Sequence, residues 1–169
     1  NFNLFCIPSL VISIYFILNF SDKINFNLFI SSMILFIFFV SLFKNFFNFK
    51  GYFTKFFLVL IGVVHGLSNL GGTLLSLMSV SLSRDDKDQA RFLISYGYFT
   101  MATFQYLTLS ILDKNTFDKH NLYYLFLVIF IYFPVQVMFK KINSSKFSKL
   151  IYFLALVYGV YIFINSIFN

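Results

Sequence analysis

The sequence predicts an all-α integral membrane protein, a multi-pass helical bundle with one glycine-broken, re-entrant helical hairpin. Of its 169 residues, 59% are hydrophobic and 11% are charged, whereas soluble domains are about a quarter charged. The charges divide the chain into long uncharged stretches, and about 20 apolar residues are the length that crosses a bilayer as a helix. This composition excludes an ordinary soluble enzyme, a disordered tail and a DNA-binding domain.

Five uncharged stretches have the length of a single membrane span. They are residues 1–21, 24–43, 92–112, 120–139 and 150–168. Their apolar runs are continuous rather than alternating, which favours helices over the strands of a membrane barrel. The chain begins with Asn1 rather than Met, so we interpret it as the back portion of a longer protein.

A sixth stretch, residues 56–83, is longer and has a different composition in its centre. Its 28 residues would form a helix of about 42 Å. Residues 66–72 read GLSNLGG, and glycine, serine and asparagine are poor helix formers. We expect two short helices separated by an irregular centre. The stretch either crosses the membrane once or enters and returns as a re-entrant hairpin.

The positive charges favour the re-entrant hairpin, because cytoplasmic loops collect lysine and arginine. A single crossing divides the 13 basic residues eight against five, whereas a hairpin divides them ten against three. The ten are Lys44, Lys50, Lys55, Arg84, Lys87, Arg91, Lys140, Lys141, Lys146 and Lys149. We therefore place both ends of the hairpin on the cytoplasmic side.

The order of the stretches predicts an inverted repeat. A hairpin followed by three spans is an odd unit, so two such units in tandem would have opposite orientations, as in many secondary transporters. Residues 1–43 would be the last two spans of a truncated first repeat, and residues 44–55 a cytoplasmic linker. Residues 56–169 would be the second repeat.

The stretch IGVVHGLSNLGGTLLSLMSVSLSRDDKDQARFLISYG resembles the second signature of the TauE/SafE sulfite exporter family. Gly62, Gly66, Gly71 and Gly72 occupy positions where that signature has glycines, and the resemblance covers roughly residues 56–112. It implies a permease in the plasma membrane, in bacteria the inner membrane, that moves a small anion of the sulfite or organosulfonate class.

The hairpin centre supplies most of the candidate substrate-binding residues. Gly71, Gly72 and Thr73 would begin its second half-helix, where free N–H groups and the helix dipole attract an anion. The alternative is close helix packing, for which small residues also serve. Ser68 and Asn69 either donate hydrogen bonds to the anion or cap a half-helix.

Two more polar residues are candidates because they fall inside predicted spans. His65 would attract an anion when protonated, and Gln105 would face protein or a cavity rather than lipid. The alternative for both is a hydrogen bond between helices. Arg91, at the start of the next span, could steer an anion toward the hairpin.

No residues predict catalysis, a cofactor or a metal site. Cys6 is the only cysteine, all six acidic residues are aspartates, and the known hydrolase, phosphate-loop and zinc motifs are absent. The expected partners are a small anionic substrate, the lipid bilayer and a second copy in a homodimer, with no nucleic acid. The alternative function is a non-transporting membrane subunit or a half-size assembly partner.

Overall fold

The computed structural model describes residues 1–20, 31–35, 38–39, 51–83, 86–112 and 123–168. Every secondary-structure element in these ranges is an α-helix, as the sequence predicts. We number them α1 Phe2–Phe20, α2 Tyr52–Ser68, α3 Gly71–Leu82, α4 Lys87–Leu112, α5 Tyr123–Lys141 and α6 Ser144–Phe168. Residues 31–35 and 38–39 are also helical. They belong to the predicted span 24–43, the rest of which lies outside the described residues.

Two of the helices are long and apolar enough to cross a membrane, namely α1 and residues Ser144–Ser166 of α6. Helices α2 and α3 are apolar but shorter, as expected for the two halves of a broken stretch. The protein thus carries at least two membrane-span candidates by length and composition. The full count of crossings and the choice of membrane stay predictions.

Three of the helices, α2, α4 and α6, begin earlier than their uncharged stretches do. Helix α2 starts at Tyr52, inside the predicted linker 44–55, and α4 starts at Lys87 rather than at residue 92. Lysine, arginine and glutamine are good helix formers, so a helix continues past the end of its apolar run. Residues 44–50 and the predicted loop 113–119 lie outside the described ranges.

Helices α1 and α2 pack side by side and run in the same direction. Gly62 lies against the Cys6 carbonyl and the Ser9 side chain. A Cβ at Gly66, one turn later, would come within 2.6 Å of the Leu10 carbonyl oxygen. Contacts that advance together along both helices show a parallel pair. Glycines four residues apart let two helix backbones approach closely, as at other membrane helix interfaces.

The chain reverses direction between α2 and α3. Gly71, at the start of α3, lies against the Ile61 carbonyl and the backbone of His65 near the end of α2. The last turn of α3 lies beside the first turns of α2, because Leu82 and Thr54 line one cavity. The interruption falls within the predicted centre 66–72, but it is narrower than expected, because Gly66, Gly71 and Gly72 are all helical. Helix α4 then runs antiparallel to α3.

The core lies where these four helices meet α6 and the helical residues 31–35. Its fully enclosed side chains include Leu10, Ile34, Ile61, Leu74 and Met101. Helix α6 contributes Ala155, which is buried, and Gly159, which lies against Ile34 and Leu35. Small residues at this contact again allow close approach of the helices.

Helix α5 lies at the outside of the bundle. Most of its apolar side chains that the structure describes are exposed, with Phe130 reaching 75%. Its C-terminal end is fastened by α4, because Lys87 Nζ donates hydrogen bonds to the carbonyls of Phe139 (3.1 Å) and Ile142 (2.7 Å). An apolar helix of this kind suits a lipid environment better than water.

Candidate functional site

Asn69 and Ser68 form the junction between α2 and α3. Asn69 has φ 62° and ψ 11°, a left-handed conformation that asparagine tolerates better than most residues. Its N–H donates to the His65 carbonyl (2.8 Å), while its side chain is exposed. The Ser68 hydroxyl donates to the Val64 carbonyl (2.8 Å) and accepts from the Leu70 N–H (3.3 Å). Both residues therefore end α2, and neither side chain caps α3.

The two glycines that begin α3 are covered by protein atoms. A Cβ on Gly71 would lie 2.5 Å from His65 Cβ and 2.8 Å from His65 N, and one on Gly72 would collide with the ring and hydroxyl of Tyr98. Thr73 is half-buried, and its N–H donates to the Leu70 carbonyl (3.1 Å). These contacts are those of close helix packing, the alternative to anion binding. A role for Gly71, Gly72 and Thr73 in binding stays a prediction.

His65 is the most unusual polar residue of the junction. It is 2% exposed, and neither ring nitrogen has a hydrogen-bond partner among the residues that the structure describes. Gln105 of α4 lies beside the imidazole, although not at hydrogen-bond geometry. Most buried polar groups are hydrogen-bonded, and an unpaired one costs about 1–3 kcal/mol. The imidazole and the half-buried Gln105 amide thus form a polar pair in which the imidazole nitrogens lack a hydrogen bond.

The structure brings together only some of the predicted site residues. His65 and Gln105 meet across two helices. Asn69 does not join them, because its side chain is exposed whereas His65 is buried. The left-handed conformation of Asn69 ends the regular helix, so its side chain does not continue the helix face that carries His65.

The guanidinium of Arg91 is bound by other groups of the protein. Its Nη1 donates to Gln136 Oε1 (2.9 Å), and its guanidinium lies 4.4 Å from the centre of the Phe139 ring. Together with Lys87 it holds the end of α5 against the start of α4. Arg91 is thus occupied by protein groups, and its proposed role in steering anions has no support from these contacts.

A cavity of about 390 Å³ opens at the other end of the hairpin. The helices α1 to α4 contribute the residues that line it: Phe2, Thr54, Leu58, Leu75, Met78, Ser79, Leu82, Phe92, Leu93 and Tyr96. None of the predicted site residues is among them. The cavity and the junction are therefore two separate features of the same hairpin.

Sequence reasoning left open whether a neighbouring helix covers the glycines and did not identify the covering residue. Nothing in the sequence marks Tyr98 as the residue that lies over Gly72. The parallel contact of α1 with α2 did leave a signal, since Gly62 and Gly66 are four residues apart, as are Ser9 and Ser13. Small residues at that spacing on two apolar helices are typical of a packing interface.

No protein family, curated protein or solved structure matches this chain. The resemblance to the TauE/SafE family and the function that it implies therefore stay predictions.

Proposed function

We propose that this protein is an integral membrane permease that moves a small anion, with α2 and α3 forming a hairpin that enters and leaves the bilayer on one side. Two observations support the hairpin. The chain reverses direction after Asn69, and the start of α2 and the end of α3 line the same cavity. Broken helices at membrane depth are a common device of secondary transporters.

The observation that carries the proposal is the buried, unpartnered imidazole of His65 beside Gln105. A buried imidazole without a hydrogen bond is destabilising, and ionisable residues within membrane segments usually serve function. An anion at this place would accept hydrogen bonds from the Gln105 amide and from protonated His65. The N-terminal end of α3, at Gly71, would add a favourable helix dipole.

Flux measurements in vesicles test this function. The purified chain is reconstituted with sulfite or an organosulfonate inside, and efflux is compared among the wild type, His65→Ala and Gln105→Ala. We expect both variants to lower efflux at least tenfold, the effect of losing one hydrogen bond to a charged group. Thr103→Ala is the matched control on α4, because its hydroxyl bonds only within its own helix, to Phe99.

Wild-type efflux no faster than that of protein-free vesicles would exclude transport of both anions by residues 1–169 alone. Equal efflux in the wild type, His65→Ala and Gln105→Ala would remove the polar pair from the transport path.

A second candidate function is a membrane subunit that does not transport and assembles with a partner or a second copy. The packing of Gly71 on His65 and of Gly72 under Tyr98 favours it, because these glycines then serve stability alone. The two candidates differ in one measurement. A non-transporting subunit shows no flux with any small anion, yet it depends on the same glycines for its thermal stability.

A further inference from the structure

The cavity at the open end of the hairpin has the volume of a small-molecule site, and its lining is mostly apolar. Its volume, about 390 Å³, falls in the range of small-molecule pockets. Leu58, Leu75, Met78 and Leu93 supply apolar walls from three helices. Such walls offer little to a small oxyanion, so the cavity is not a second site for the proposed substrate.

The length of the cavity matches a hydrocarbon chain lying along the helices. Along α3 it extends from Leu75 to Leu82, which is about 10 Å of helix. One leaflet of a bilayer has a hydrocarbon thickness of about 15 Å, half of the whole core. A single acyl chain that enters from one surface would therefore fill the cavity over most of one leaflet.

A lysine adjoins the cavity lining along α2. Lys55 follows the lining residue Thr54, and its Nζ lies 5.5 Å from the ring centre of Phe5 and 5.2 Å from that of Tyr52. It has no carboxylate partner among the described residues. Lys87 and Arg91, the cations at the start of α4, are instead held by groups at the end of α5.

We propose that this cavity binds one acyl chain of an anionic phospholipid and that Lys55 binds the phosphate of its headgroup. The positive charge of the chain, +7 in total, and the predicted cytoplasmic position of this end both favour an anionic lipid. The inner leaflet is the surface that carries such lipids. The hydroxyls of Thr54 and Ser79 lie at the same cavity and can donate to the ester or phosphate oxygens.

Tryptophan fluorescence tests the proposal directly, because the chain contains no tryptophan of its own. Leu93→Trp places a single fluorophore at the cavity, and vesicles then carry brominated phosphatidylglycerol or brominated phosphatidylcholine as the quencher. We expect phosphatidylglycerol to bind about five-fold more tightly, the factor that one lysine contributes near an anionic surface. Lys55→Gln in the same background should abolish the preference.

Two controls separate the site from the general lipid surface. Phe130→Trp on the exposed face of α5 should be quenched equally by both lipids. Ser79→Phe fills the cavity and should reduce quenching of Leu93→Trp by both. Equal quenching of Leu93→Trp by the two lipids, or a preference that survives Lys55→Gln, would overturn the proposal.

Native mass spectrometry of the chain without tryptophan gives an independent measurement. The wild type and Lys146→Gln should retain a bound phosphatidylglycerol, whereas Lys55→Gln should lose it. Retention by all three would place the lipid elsewhere. None of these measurements depends on anion flux, so the lipid site and the proposed transport function fail separately.

Discussion

His65 illustrates how one side chain can oppose stability and still be retained. Its ring is enclosed by apolar neighbours and by Gln105, and both nitrogens lack a partner in the described part of the chain. Natural proteins keep such groups mainly where a function needs them. We therefore expect substitutions of His65 to raise the stability of the protein while they lower its activity.

We expect His65→Leu to unfold at a higher temperature than the wild type while its anion flux is lost. Leucine removes a buried unpaired polar group, a change worth roughly 1–3 kcal/mol. The measurement combines thermal denaturation in detergent with efflux from vesicles. Ser110→Ala, at an exposed position of α4, should change neither quantity. A lower melting temperature in His65→Leu would mean that the imidazole has a partner in the folded protein.

Gly72 gives a second prediction at this scale, based on packing. A leucine there would displace the Tyr98 ring, and overpacking of this kind costs about 1–3 kcal/mol. Gly72→Leu should therefore insert but melt at a lower temperature. Adding Tyr98→Ala should recover part of the loss, because the smaller side chain makes room.

A double-variant cycle on Gly72 and Tyr98 measures that coupling. Additive effects of the two changes would show that Tyr98 does not lie over Gly72. Thr73→Ala, one residue further along α3, is the control.

At the scale of elements, the hairpin makes a prediction about topology. Cysteines placed at Tyr52 and Asp88, in a Cys6→Ser background, should react with a membrane-impermeant reagent from the same, cytoplasmic side. Both positions are exposed, and they mark the start of α2 and the start of α4. A cysteine at Asn19, the far end of α1, should react from the opposite side. Reaction of Tyr52→Cys and Asp88→Cys from opposite sides would mean that the segment crosses the membrane once.

The helical elements were largely predictable, whereas the contacts between them were not. Continuous apolar runs predict helices because backbone groups in an apolar medium must be satisfied within one segment. The glycine-rich centre likewise predicted an interruption near Asn69. The meeting of His65 with Gln105 could not be predicted, because it depends on how far α4 is shifted and rotated against α2. The local sequence does not record that register.

The role of the two glycines at the start of α3 could not be predicted for the same reason. Gly71 and Gly72 allow a close approach to the backbone, and the sequence cannot say whether a ligand or a neighbouring helix makes that approach. In the structure His65 and Tyr98 do. Only the arrangement of three helices decides between two roles that require the same residue type.

For the molecule as a whole, the contact between α4 and α5 sets how firmly the outer helix is held. Lys87 donates to carbonyls at the C-terminal end of α5 and Arg91 to the Gln136 side chain one turn earlier, at an end where the helix dipole favours positive charge. The exposed apolar side chains of α5 include Leu127, Val128, Phe130, Ile131, Phe133, Val135, Val137 and Met138. The two cations are thus the main polar connection between α5 and the bundle in the part of the chain described.

We expect Lys87→Gln combined with Arg91→Gln to release the turn between α5 and α6. Loss of hydrogen bonds from charged donors should favour local opening by roughly 1–2 kcal/mol, or about tenfold. Hydrogen–deuterium exchange of residues 139–147 measures this opening. Lys146→Gln should leave the exchange unchanged, because Lys146 is exposed and its backbone N–H alone contacts Asn143. Unchanged exchange in the double variant would show that α5 is held by other contacts.

The parallel pairing of α1 with α2 has a consequence for biosynthesis. Gly66 leaves the ribosome more than 50 residues after Ser13, so at roughly 5–20 residues per second α1 waits several seconds for its partner. During that time its serine face lacks this partner. Ser9 and Ser13 already donate their hydroxyl protons to carbonyls of their own helix, those of Cys6 (2.8 Å) and Ser9 (2.7 Å). We therefore expect α1 to remain inserted by itself until α2 arrives, without the help of a chaperone for its polar groups.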